Sequence, residues 1–226
     1  MIKKISHWAH DYLHALHKQS YAFLCRKPPR HYLGYRVINK NPVILIPGIY
    51  EKWHFLKAIA DPLSLKGHPI YTLEHLGYNT KTIHHSAKLI RELIDNEKLQ
   101  NVVIIAHSKG GLIGKHILAF NNLDGKIKKL IAIATPFGGS HAAKLIPHKP
   151  AKELHPKSEI IKTLQAIKNV NSKIVSIFGV FDNHVWPRSS CVLDGAKNIE
   201  TNAYGHHKIL FNKKVRDIII TEVEEM

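Results

Sequence analysis

Four runs of consecutive apolar residues set the tightest limit on how this chain can fold. They are PVILIPG from residue 42, NVVIIAH from 101, KKLIAIATP from 128 and KIVSIFG from 173. None alternates apolar with polar, so a strand made from any of them is buried on both faces. Helical patterns lie between them. WHFLKAIADPLSLKG from 53 reads as a helix disturbed by Pro62. Residues 80–96 place Ile83, Ala87, Ile90, Leu93 and Ile94 on one face. Further helices are expected at 109–120, near 158–168 and at roughly 209–223, and two further strands at PIYTLEHL and KNIETNA. Strands of this kind separated by amphipathic helices predict an α/β fold, with a mainly parallel sheet of about six strands covered on both faces.

The 226 residues, 44% hydrophobic and 22% charged, suit one core. Residues 1–34 read as an addition to a domain spanning 35–226. Within residues 2–25, Ile2, Ile5, Trp8, Tyr12, Leu16, Phe23 and Leu24 gather near one face of a basic amphipathic helix. Such a helix either docks on the body through that face or lies on a membrane surface. The segment RKPPRHYLG, residues 26–34, breaks it. His7, His10, Asp11, His14 and His17 interrupt every candidate signal-peptide core, and no apolar run is long enough to cross a membrane, so a cytoplasmic protein is expected, with peripheral membrane contact. Cys25 and Cys191 read as free thiols. The net charge of +16 reads either as a lysine-rich background that keeps the protein in solution or as a surface for anionic partners such as lipid headgroups, and no nucleic-acid motif accompanies it.

Chemistry concentrates where the run VVIIA meets His107-Ser108-Lys109-Gly110-Gly111 and a helix follows. This is the layout of a nucleophile elbow, in which a tight strand-to-helix turn lifts a serine hydroxyl above the sheet. Positions two before and two after the serine must be small, and Ala106 and Gly110 meet that demand. The competing reading is a serine that merely caps a helix.

A serine needs a base, and the base an acid. In this layout the chain order is serine, acid, histidine. His206, after Gly205 in NAYGHHKILF, is the favoured base on turn position, with His207 as competitor. Asp182, after KIVSIFG, is the favoured acid; Asp194 and Asp124 are turn candidates beside glycines. His107 should point away from the site, and His84-His85 should be solvated. Two amides are expected to hold an oxyanion: those of Lys109 and of Ile49, just after Gly48 in LIPGIYEKW. No metal and no cofactor is called for.

The stretches NPVILIPGI, VVIIAHSKGG, FNNLDGKIKKLIAIATP, LDGAKNIE and GHHKIL, in that order, resemble the α/β-hydrolase superfamily, and within it the minimal lidless bacterial lipases. The resemblance spans roughly residues 41–220. It implies hydrolysis of acylglycerols and short esters without metal or organic cofactor. It places the nucleophile at Ser108, the acid at Asp182, the base at His206 and the oxyanion amides at Ile49 and Lys109. The chain has Pro47-Gly48 where the family has His-Gly, and a lysine follows the serine, so a cationic side chain is expected at the mouth. TPFGGS, residues 135–140, is similar to a lipase loop near the site. The segment 141–170 is too short for a large cap, which implies a shallow pocket. Ester hydrolysis is therefore the expected activity. Thioester hydrolysis, acyl transfer and a non-catalytic module that binds anionic surfaces are the alternatives.

Overall fold

The computed structural model describes residues 11–13, 15, 16, 19, 20, 27–122, 124–145 and 149–226. Six strands form one wholly parallel sheet: β1 (Val43–Ile46), β2 (Ile70–Tyr71), β3 (Val102–His107), β4 (Ile127–Ile133), β5 (Ile174–Phe181) and β6 (Lys197–Tyr204). Their order across the sheet is β2-β1-β3-β4-β5-β6. Every residue of β1 and β3 is buried. Alternate residues of these strands feed two separate cores. Ile44, Ile46, Ile104 and Ala106 point to one, where they meet α2 (Ile83–Asn96), α3 (Lys109–Phe120) and α4 (Glu159–Ala166). Val43, Leu45, Val103 and Ile105 point to the other, against α1 (Lys57–Leu65) and α5 (Lys213–Glu224). Polar residues start most of these helices. Thr82, Ser158 and Asn212 each accept a hydrogen bond from a first-turn amide of α2, α4 and α5.

Local departures from the sequence reading have plain causes. The stretch PIYTLEHL yields only the two-residue edge strand β2, because a 3₁₀ turn takes over at Glu74–Leu76. Helix α1 runs through Pro62. The last helix starts at Lys213, after a separate 3₁₀ turn at Lys208–Phe211. The long connection after β4 folds into 3₁₀ turns at His141–Leu145 and Lys149–Leu154.

Residues 11–13, 15, 16, 19 and 20 are helical, in agreement with an N-terminal helix. Asp11 is fully buried and Ala15 packs against the core beside α1 and α5, while Tyr12 and Leu16 are exposed. At Tyr12 and Leu16 the apolar face is therefore not the docked one of the two expected arrangements; among the described residues, the inward side carries a buried carboxylate. Ile2, Ile5, Trp8, Phe23, Leu24, Cys25 and the histidines at 7, 10, 14 and 17 lie outside the described residues. Among the described residues, no helix is long and apolar enough to cross a membrane.

Candidate active site

Between β3 and α3 the chain reverses at Ser108, whose backbone sits at φ 52°, ψ −121°. A non-glycine residue in that region is strained and persists only where its surroundings hold it. The surroundings here are tight. A Cβ on Gly110 would lie 2.2 Å from the carbonyl oxygen of Ile46, and one on Gly111 would lie 2.0 Å from Thr135 Oγ1. The two glycines thus let α3 pack directly against β1 and the loop after β4. Ala106 is buried and pairs across the sheet with Ile46 and Ala132. The Ser108 hydroxyl does not cap α3. It faces His206 instead, Oγ to Nε2 at 2.9 Å.

His206 comes from the loop after β6. Gly205 makes the turn at φ 100°, a conformation that glycine adopts without strain. His206 Nδ1 donates to Asp182 Oδ2 at 2.8 Å. The other carboxylate oxygen of Asp182 accepts the amides of His184 and Val185, at 2.7 and 2.8 Å. All three side chains are buried, Ser108 leaving 7% of its surface exposed. Burial alone would raise the Asp182 pKa, but the His206 charge, its hydrogen bond and the two amides outweigh it, and the net shift is downward. For His206 burial alone would lower the pKa, but Asp182, then Glu51 and Asp11, bring it above the ordinary histidine value. The arrangement leaves Nε2 of a carboxylate-anchored imidazole in hydrogen-bond reach of a hydroxyl. That geometry suits proton transfer from oxygen to nitrogen.

The structure brings Ser108, Asp182 and His206 together and leaves their competitors elsewhere. His207 pairs with Asp11. Asp194 is exposed on Lys168, and Asp124 pairs with Arg91 and Lys126. His84 and His85 are exposed on α2. His107 does point away from the serine. Its Nδ1 meets the buried carboxylate of Glu51 at 2.9 Å, and its Nε2 donates to the carbonyl of His206 at 3.0 Å.

Ile49, directly after Gly48, lines the same cleft as Ser108. Among the described residues no protein acceptor takes the Ile49 or Lys109 amide. Three groups brace this loop: Glu51 accepts the Gly48 amide at 2.7 Å, Asn79 Nδ2 donates to Pro47 O at 2.7 Å, and the Tyr50 amide donates to Tyr78 O at 2.7 Å. A Cβ at position 48 would press on the Glu51 carboxylate at 2.9 Å. The expected cation at the mouth is absent. The Lys109 side chain is fully buried, its Nζ donating to the carbonyls of Asn79 and Lys81. Desolvation brings its pKa down to about 8. The lysine is long enough to reach back to carbonyls of the loop before α2.

Several contributors have no individual role assigned to them by the sequence reading. Ser140, from TPFGGS, donates to His184 O at 2.7 Å and accepts the Trp186 amide at 2.9 Å, which holds the loop carrying Asp182. Asn183 Oδ1 accepts the His206 amide at 2.9 Å. The His184 ring stacks on His206, centroids 4.7 Å apart and 4° between planes; burial drives its pKa to about 3, so it adds no charge there. Asp11 gave one signal in the sequence, as the sole acidic residue among the first fifty. The cleft itself holds about 430 Å³ and is lined by apolar groups including Phe55, Ala143, Leu154 and Val185, with Tyr12 and Leu16 of the N-terminal helix as an added wall. Among the described residues Asp11, His184 and His207 place ligand atoms within 4.8 Å of one another. Asp11 already accepts from His207 Nδ1 and Asn183, so a cation there would have to displace both a proton and a hydrogen bond.

Residues 41–171 match the model of the alpha/beta hydrolase fold family. Among solved structures the chain is similar to the Bacillus licheniformis lipase BlEst2 in mature form, with TM-score 0.65 and 14% identity, covering 84% of this chain and 95% of that one. It is similar to the Paleococcus ferrophilus monoacylglycerol lipase, with TM-score 0.62, 14% identity and coverage of 83% and 97%. It is also similar to the enol-lactonase from Burkholderia xenovorans LB400, with TM-score 0.59, 14% identity and coverage of 85% and 95%. At such identities these likenesses speak for the fold, and together with the family match they show that the chain belongs to the α/β-hydrolase fold family, resembling its small lipases.

Proposed function

We propose that the protein is a serine hydrolase of carboxylic esters that works through an acyl-enzyme. One observation carries the reading: the unbroken line from Ser108 Oγ through His206 to Asp182, with contacts of 2.9 and 2.8 Å. His206 Nε2 takes the hydroxyl proton as Oγ bonds to the ester carbonyl carbon. The carbonyl electron pair moves onto oxygen, where the amides of Ile49 and Lys109 receive it; each such donor contributes about 3 to 4 kcal/mol. The pair returns, the bond to the alcohol oxygen breaks, and His206 gives its proton to the departing alcohol. Water then repeats the sequence on the acyl-enzyme, releasing acid and restoring Ser108. Asp182 keeps the imidazole oriented and stabilises its charged form. The apolar cleft suits an acyl chain, and the reading needs no metal or organic cofactor.

The substrates we favour are lipid esters met at an anionic membrane surface. Leu16 and Leu145 line the cleft while 65% and 72% exposed, and the exposed Lys144, Lys152 and Lys157 line an adjoining hollow that shares Ala143 with it. Apolar groups beside cations suit acyl chains below anionic headgroups. Binding to anionic vesicles should weaken steeply with salt; equal binding to neutral and anionic vesicles at low salt removes the membrane part. For the chemistry, a fluorophosphonate probe should label the natural protein and leave Ser108→Ala unlabelled. A folded protein that neither takes the probe nor turns over a nitrophenyl ester overturns the reading in favour of a binding module.

A further inference from the structure

The N-terminal helix sends one carboxylate into the body of the protein. Asp11 has no exposed surface and accepts four hydrogen bonds. Its Oδ1 takes the amides of His207 and Lys208, at 2.8 and 2.9 Å. Its Oδ2 takes His207 Nδ1–H at 2.8 Å and Asn183 Nδ2–H at 3.1 Å. The group therefore grips the residues just after His206 and the residue just after Asp182. Asn183 passes the constraint on, since its Oδ1 accepts the His206 amide.

A second branch reaches the same residue from the other side. His207 Nε2 lies 3.5 Å from Glu51 Oε1. Glu51 binds His107 Nδ1, and His107 Nε2 donates to the carbonyl of His206. Both main-chain polar groups of His206 are thus held by side chains, and both branches lead back to Asp11. Even the space is fitted, because a Cβ on Gly205 would stand 2.6 Å from Asp11 Oδ1.

We propose that Asp11 is a positioning residue for His206, so that the N-terminal helix is a working part of the active site and not an appendage to it. The proposal rests on the reading of His206 as the base. Asp11 touches neither substrate nor Ser108; it acts by fixing the loop from which the imidazole projects. An imidazole displaced by a fraction of an ångström loses the alignment that proton transfer needs. The charge of Asp11 acts as well. His206 is faced by Asp182, Glu51 and Asp11 on the acidic side and by His107, His184 and His207 on the other. Asp11 is one of the groups that raise the His206 pKa.

Asp11→Asn tests this, since it keeps the shape and removes the charge. On a soluble nitrophenyl butyrate we expect kcat to fall about tenfold or more, with KM changed by less than about twofold. The acid limb of kcat against pH should move to lower pH, which a purely structural defect would not produce. A folded variant with natural kcat and an unmoved acid limb overturns the proposal. Should the variant lack a cooperative melt, nitrogen-15 histidine NMR of the natural protein decides. A slowly exchanging Nδ1–H on His207 supports the clamp, and a freely exchanging one overturns it. If the natural protein itself takes no probe and turns over no ester, the reading of His206 fails instead, and the NMR result still reports whether the clamp exists.

Discussion

Two adjacent histidines each pair with a buried carboxylate at 2.8 Å, and their second nitrogens face different groups. His206 meets Asp182 through Nδ1 and presents Nε2 to a serine hydroxyl. His207 meets Asp11 through Nδ1 and has Nε2 near a third acid, Glu51. The acid–imidazole pair is thus not in itself a catalytic device. What lies beyond the second nitrogen decides whether the ring can move a proton onto and off a reacting oxygen or only tie loops together.

The contrast can be broken most severely at the hydroxyl. Ser108→Ala should cost on the order of 10⁶ in kcat if the residue is the nucleophile, measured on a short nitrophenyl ester. Asp182→Asn should cost on the order of 10⁴, because the imidazole then takes the wrong tautomer. His207→Gln, in the neighbouring pair, should lose only about tenfold, a positional effect. Similar losses at 182 and 207 would erase the distinction. A gentler probe is pH. The folded His206 pKa is raised, so its neutral, working form is lost as pH falls through a value above 6.5. The acid limb of kcat/KM should therefore have its midpoint above 6.5. Glu51 should be felt at lower pH. Despite burial, which acts the other way, its partners hold its pKa near 2 instead of 4.5. Its contribution to stability is complete above 4.5 and is lost as pH falls toward 2, which acid denaturation followed by circular dichroism would detect. The smallest effect on rate is expected at Lys109→Met. The amide stays, so kcat should hold, while the unpartnered carbonyls of Asn79 and Lys81 lower stability by about 1 to 3 kcal/mol in a thermal melt.

The strands and the serine turn were legible because their causes are local. A double-sided apolar run and a pair of glycines after Ser108 carry their meaning within a few residues. Asp182 and His206 could be ranked as candidate acid and base because chain order and turn position restrict them. The Lys109 side chain was misplaced for the opposite reason: its course depends on carbonyls at 79 and 81 that the fold brings near it. Glu51 and Asp11 were missed likewise. A buried carboxylate looks like a surface one until its donors, more than fifty residues away for Glu51 with His107, are known. Which face of the N-terminal helix turns inward was not decided by the sequence, because four hydrogen bonds to one acid, Asp11, come from residues the fold brings to it.

The bond between Asp11 and the His207 amide joins residues 196 apart. At ribosomal speeds of ~5–20 residues per second, the helix is made roughly 10 to 40 s before its anchor point exists. The strand that leads to Ser108 and most of the sheet emerge in that interval, with His206 still unmade. A nascent chain of this design can form its sheet early, yet the proposed site stays incomplete until the loop carrying His206 and His207 exists and closes against the N-terminal helix.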